Sequence, residues 1–170
     1  MKKSNIVLIG MPSSGKTTIG KLLAGGLGMG FVDTDEIIRE KAGKPLRDIV
    51  NEDGLEAFLD IQQKAVTALD VRNHVIATGG SVVYGSASME HLKKDGVVVF
   101  LKSELCDIEK RVAAGRRLAR TGGQTVAELY NERMPLYQKY ADITVNCSGK
   151  TEKEIADEIL DIVKNYGQEK

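Results

Sequence analysis

Tryptophan is absent from this chain, and phenylalanine (3), proline (3) and cysteine (2) are scarce. Two cysteines, Cys106 and Cys147, make neither a disulfide framework nor a CxxC metal pair, so they are expected to be ordinary buried or half-buried thiols in a cytoplasmic protein. The two histidines, His74 and His91, have no Cys or His neighbour in sequence and suggest no zinc site. So few aromatics offer no evident stacking platform for a base. Charge excess is missing too: 24 basic residues face 24 acidic ones, leaving no global field to draw nucleic acid or an anionic membrane. No apolar run approaches the roughly 18 residues that a membrane span needs. The start, Met1-Lys2-Lys3-Ser4, is positive, but the apolar run Ile6 to Ile9 is far too short for a secretory signal. What is present is a 170-residue chain, 42% hydrophobic, of the size of one domain with one core (1–170).

The chain alternates short apolar runs with helical periods. Asn5–Ile9, Phe31–Val32 (ending at Asp33), His74–Ala77, Val97–Leu101 and Ile143–Val145 read as strands; Lys16–Leu27 and Gly54–Val71 read as helices. Thr125-Val126-Ala127-Glu128 and Thr151-Glu152-Lys153-Glu154 are capping boxes that open two later helices. Strands separated by helices indicate an α/β fold, a parallel sheet covered on both faces. Gly115 to Gly123 differs: it carries Arg116, Arg117 and Arg120 with no apolar cluster to pin it, and is expected to be a mobile loop.

The strongest signal is Gly10-Met11-Pro12-Ser13-Ser14-Gly15-Lys16-Thr17, a full GxxxxGK(S/T) match between a strand and a helix. Chance gives such a match in under about 1% of chains this long. The glycines let backbone N–H groups curl around phosphate oxygens, and the helix N-terminus adds its positive end. Lys16 can reach the β- and γ-phosphates, and the Thr17 hydroxyl is a Mg²⁺ ligand. A nucleotide triphosphate site follows, formed by Gly10, Pro12, Ser13, Ser14, Gly15, Lys16, Thr17 and Thr18. No N-K-x-D motif reads guanine, and the third strand ends in Thr78-Gly79-Gly80 rather than in the Asp of a motor ATPase. The carboxylates lie instead after the second strand, as Asp33-Thr34-Asp35, at the carboxyl end of a strand, where open parallel sheets bind ligands. They could divide the work between metal and substrate, although Asp33 with Glu36 would also serve as a helix cap.

With these residues the sequence resembles the shikimate kinase family, small P-loop kinases that phosphorylate the 3-hydroxyl of shikimate with ATP. The resemblance spans nearly the whole chain: the P-loop, Asp33-Thr34-Asp35, Gly79-Gly80, an arginine-bearing lid around Arg116, Arg133-Met134-Pro135-Leu136-Tyr137, and Tyr140 to Val145. It implies a three-layer P-loop kinase fold with a five-stranded parallel sheet in order 2-3-1-4-5, a substrate-binding helical region at about 33–62 and a lid at about 111–124. It also implies roles. Lys16 would hold the transferring phosphate, Thr17 would ligate Mg²⁺, and Asp33 would support the metal through water. Asp35 would bind the acceptor hydroxyls and orient the attacking one. Gly79 and Gly80 would offer backbone N–H groups, Arg116 would close over the transferring phosphate, and Arg133 would hold the substrate carboxylate. The partner is then a small molecule, with no nucleic acid and no membrane, and the protein a monomer.

The substrate helix departs from the family pattern Gly-Glu-x-x-Phe-Arg-x-x-Glu. Here Leu55, Leu59 and Gln62 stand where the family has a carboxylate, an arginine and a second carboxylate, and Ser81 replaces the third glycine of a Gly-Gly-Gly turn. A paired charged set exchanged together leaves no lone charge behind. Phosphoryl-transfer residues are intact, whereas the carboxylate grip lacks one guanidinium, so shikimate is expected to bind weakly. The sequence therefore reads as an ATP-dependent kinase of a small hydroxylated metabolite, shikimate first. A polyol, sugar acid or hydroxy amino acid is the alternative acceptor, and a nucleoside monophosphate kinase or a non-catalytic ATP-binding regulator the alternatives of other classes.

Overall fold

The structure, a computed structural model, describes residues 3–114 and 123–166. In chain order its elements are β1 (Asn5–Ile9), α1 (Lys16–Leu27), β2 (Gly30–Asp33), α2 (Thr34–Ala42), α3 (Leu46–Asp53), α4 (Leu55–Thr67), β3 (His74–Ala77), a 3₁₀ turn (Val82–Tyr84), α5 (Ser86–Asp95), β4 (Gly96–Lys102), α6 (Leu105–Ala113), α7 (Val126–Tyr140), β5 (Ile143–Asn146) and α8 (Glu152–Tyr166). The five strands form one sheet in order β2-β3-β1-β4-β5, with every pair parallel. Fold class and strand order match the sequence expectation. Arg116, Arg117, Arg120 and most of the expected lid lie outside the described residues.

Strand alternation builds the two main cores. From β1, Val7 and Ile9 face one side, where Ile76, Val98 and Phe100 meet Met89 and Leu92 of α5 and Leu129 and Tyr137 of α7. Ile6 and Leu8 face the other, where Val75, Val99 and Leu101 meet Ile19 and Leu23 of α1 and Ile155 and Ile159 of α8. Each such buried side chain contributes about 1.5–3 kcal/mol of hydrophobic stabilisation. A third, smaller cluster of Ile38, Ile49, Phe58 and Ala65 ties α2, α3 and α4 together beside the sheet.

Helix α4 ends at Thr67 rather than at Val71. The chain must reverse there to enter β3, and Asn73 takes a left-handed φ of 58° in doing so, while Leu69 and Val71 still pack against the core. Thr125 and Glu128 close a reciprocal capping box, as do Thr151 and Glu154. Asp33 caps α2, but by accepting from the Asp35 N–H, so Glu36 closes no box. Cys147 is buried as expected. Cys106 is exposed, because α6 turns Ile108 to the core and leaves the cysteine on its outer face. Among the described residues no helix is long and apolar enough to cross a membrane.

Asp142 locks the far edge of the sheet. Its Oδ2 accepts from the Val98 N–H (2.9 Å) and from Lys3 Nζ (3.2 Å), and its Oδ1 accepts from Lys93 Nζ (3.1 Å). Burial favours the neutral acid, but the Val98 N–H and the Lys93 and Lys3 ammoniums outweigh it and hold the carboxyl below its ordinary value. Asp142→Ala should lower the unfolding free energy by about 1–3 kcal/mol at neutral pH, read from urea denaturation. A carboxyl whose folded pKa is depressed stabilises above its unfolded pKa and loses that contribution as pH falls through the folded value. The gap between wild type and variant should therefore close in acid below about pH 4. A gap independent of pH would assign the effect to packing.

Candidate active site

The P-loop curls because three of its residues take backbone conformations with positive φ: Gly10 (151°), Ser13 (67°) and Gly15 (89°). At Gly10 a Cβ would lie 2.7 Å from the Leu101 carbonyl oxygen, so only glycine fits under β4. Gly15 is the N-cap of α1, which has no side-chain cap and no acidic residue in its first turn. The first N–H groups of the helix therefore point outward with the positive end of the helix dipole, an arrangement suited to phosphate. Lys16 Nζ donates to the carbonyls of Gly10 (2.8 Å) and Met11 (2.7 Å) and to Ser14 Oγ (3.3 Å). Burial lowers its pKa to about 8, partly opposed by the nearby Asp35 carboxylate. On the outer side of the loop, Arg111 Nη1 donates to the Ser13 carbonyl.

β2 delivers the carboxylates. The Thr17 hydroxyl donates to Asp33 Oδ2 (2.8 Å), while Asp33 Oδ1 accepts from the Asp35 N–H (2.9 Å). Asp33 is thereby both helix cap and neighbour of the P-loop threonine. Burial, reinforced by the Asp33 charge, raises the Asp35 carboxyl to about 6, with Lys16 and Arg39 pulling the other way. Asp35 Oδ1 is buried without a hydrogen-bond partner among the described residues.

After β3 the chain turns through Thr78-Gly79-Gly80-Ser81, and both glycines are there for close approach. A Cβ on Gly79 would lie 2.5 Å from Asp35 Oδ1; one on Gly80 would lie 2.6 Å from Pro12 Cδ and 2.9 Å from Arg133 Nη1. Arg133, on α7, is 1% exposed. Its Nε donates to Tyr84 Oη (3.2 Å), whose hydroxyl donates to Glu132 Oε1 (2.7 Å). Tyr137 packs in the core, stacked on Phe100 at 5.1 Å, and its hydroxyl also donates to the Gly80 carbonyl (2.7 Å). These elements enclose a cavity of about 440 Å³ whose walls include Lys16, Thr17, Asp33, Asp35, Gly79, Gly80 and Arg133. Pro12, Ser13, Gly15 and Thr18 line it as well, whereas the expected loop residues Gly10 and Ser14 do not. A phosphate loop, two carboxylates and a buried guanidinium around one hollow suit transfer of a phosphoryl group to an anionic hydroxy compound.

The shikimate kinase family model matches residues 12–164. This chain belongs to the shikimate kinase family. It is thus a small-molecule kinase of the P-loop type that uses ATP. A shikimate kinase from Thermodesulfovibrio yellowstonii is 38% identical over 161 residues, 92% of this chain and 92% of that one. Threonine synthase-like 1 from Mus musculus is 40% identical over 171 residues, which cover 95% of this chain and 22% of that protein. Among solved structures, a shikimate kinase from Acinetobacter baumannii in complex with shikimate superposes with a TM-score of 0.86 at 29% identity, over 96% of this chain and 94% of that one.

The positions that depart from the family pattern have found other partners. Leu55 and Leu59 pack against the cluster of Ile38, Ile49, Phe58 and Ala65. Leu59 lines a separate hollow of about 170 Å³ rather than the large cavity. Gln62 is 3% exposed, and its Oε1 accepts from the Ser81 hydroxyl (3.2 Å). The lost carboxylate and the lost third glycine are therefore one exchange: a neutral amide and a serine hydrogen-bonded to each other. Sequence reasoning missed this pair, as it missed Tyr84, Glu132 and Arg111. Tyr84 had a readable signal, an aromatic three residues beyond Ser81; Arg111 had none, since its contact reaches 98 residues back along the chain.

Gly79→Ala should force Asp35 off its position while leaving the P-loop untouched. Turnover should fall roughly 100-fold, with ATP affinity by calorimetry within about twofold, since P-loop contacts are separate from the acceptor contacts. An unchanged rate would show that Asp35 need not sit where it does.

Proposed function

We propose that this kinase transfers the γ-phosphoryl group of ATP to the 3-hydroxyl of shikimate. The observation that carries the reading is the placement of Asp35 and Arg133 on the wall of the same cavity as Lys16. The outward N–H groups of the loop, with Lys16, hold the triphosphate. Asp35 accepts a hydrogen bond from the attacking hydroxyl and, being raised toward neutrality by burial, can take its proton as the phosphoryl bond forms. Gly79 and Gly80 expose backbone N–H groups to the acceptor, and Arg133 holds its carboxylate by charge-assisted hydrogen bonds. Arg116, outside the described residues, is assigned the charge on the transferring group. The A. baumannii relative, solved with shikimate, supports this choice of acceptor.

Mg²⁺ belongs to the same proposal. The Thr17 hydroxyl and the Asp33 carboxylate touch each other beside the loop, and hard oxygens in small number suit an ion that keeps several waters and phosphate oxygens as its other ligands. No group of three or more His, Cys, Asp or Glu is gathered for a metal among the described residues, consistent with that mode. Thr17 would hold the ion directly and Asp33 through water. When bound, it would neutralise charge on the β- and γ-phosphates.

Leu59 and Gln62 favour one second reading, a different hydroxylated acid held by the same residues. The experiment that separates the two is ADP release measured across shikimate, sugar acids, polyols and hydroxy amino acids. Shikimate should give the highest kcat/KM. Asp35→Asn should reduce kcat roughly 100-fold or more with ATP affinity within about twofold, and Lys16→Ala should abolish turnover with the fold retained. Tight ATP binding with no acceptor-dependent ADP release would overturn the reading.

A further inference from the structure

Besides Lys16 and Arg133, the cavity has a third cation in its wall that the family pattern does not assign. The first turn of α3 contributes Leu46 and Arg47 to the lining. The Arg47 side chain is 60% exposed, and its Nε donates to Asp48 Oδ1 at 3.3 Å, a long contact between exposed neighbours. Such a pair is weakly held and easily exchanged for a better acceptor. Neither terminal nitrogen of this guanidinium has a hydrogen-bond partner among the described residues. Arg47 lies in the first turn of α3, which follows Pro45 with no side-chain cap and whose acidic residue is Asp48, the present partner of the guanidinium. An anion arriving in the cavity would compete with the exposed Asp48 carboxylate for this guanidinium.

The family pattern places a guanidinium at position 59, where this chain has Leu59, packed into an apolar cluster and outside the cavity. We propose that Arg47 is a specificity-determining residue that pairs with the carboxylate of the acceptor alongside Arg133, so that α3 supplies the cation that α4 has lost. The two cations differ in character. Arg133 is buried and fixed by Tyr84, whereas Arg47 is exposed and free to swing onto the ligand once it enters. Carboxylate recognition would then be shared between a fixed group and one recruited on binding. On this inference shikimate would bind more tightly than the loss of the guanidinium at Leu59 alone implies.

The inference rests on the shikimate reading for its ligand, and binding separates the two. Shikimate affinity is measured by calorimetry, and turnover by ADP release, for wild type, Arg47→Ala and Arg47→Lys. Arg47→Ala should weaken shikimate binding and raise its KM roughly 10- to 100-fold, with KM for ATP and the melting temperature unchanged. Arg47→Lys should recover part of the loss, because an ammonium keeps the charge but not the fork. With the methyl ester of shikimate, which has no charge to pair, wild type and Arg47→Ala should bind alike. An Arg47→Ala variant with wild-type shikimate affinity, or a loss equally large for the ester, would overturn the inference while leaving the proposed function intact. Arg47-dependent binding without turnover would do the reverse. Failure of wild type to bind shikimate at all would overturn the inference.

Discussion

The approach of the Asp35 carboxylate to the backbone of Gly79 is the contact on which the rest of the site depends. Three groups converge on the turn after β3: the Asp35 carboxylate from the first turn of α2, the Pro12 ring from the phosphate loop and a guanidinium from α7. None could come so close to a residue bearing a side chain. The sheet makes this possible, since β2 and β3 are adjacent and in register from Gly30–His74 to Asp33–Ala77, and β1 lies on the other side of β3. Strand order thus places the phosphate loop and the carboxylates side by side at the carboxyl ends of the strands, with one pair of glycines between them.

Electrostatics follow from that crowding. Lys16 and Arg133 are almost wholly buried and Asp35 is half-buried with its Oδ1 shielded from solvent, so each charge is felt by the others with little water to screen it. Lys16 is pushed down and Asp35 up, both chiefly by desolvation. The result is a carboxyl poised to exchange a proton and a lysine that its own loop carbonyls keep in place. Charges fixed before the ligand arrives need not reorganise as the phosphoryl group moves, which is the main source of catalysis in this chemistry.

Sequence patterns revealed what depends on local order. The ends of β1, α1 and β3 follow directly from apolar runs, and the P-loop, Asp33 and Asp35 carry motif spacing strong enough to place a site. Contacts between distant segments were not legible. Leu59 and Gln62 read as losses from a charged set, yet one joins an apolar cluster and the other pairs with Ser81, 19 residues on. Arg47 had no motif around it, and its place in the cavity wall comes only from how α3 packs on α4. Cys106 was read as a buried or half-buried thiol because free cysteines usually are, and the helix face leaves it exposed. Local rules find the reacting groups, while tertiary packing decides which acceptor they face.

The most direct test of this account is phosphorus NMR of the wild-type enzyme with ATP, Mg²⁺ and shikimate. The expected spectrum shows the ATP γ-resonance replaced by a phosphate monoester coupled to the proton on carbon 3 of shikimate, in equal amount to ADP. Inorganic phosphate in place of the monoester, or a monoester at another hydroxyl, would contradict the proposal that Asp35 selects the attacking oxygen.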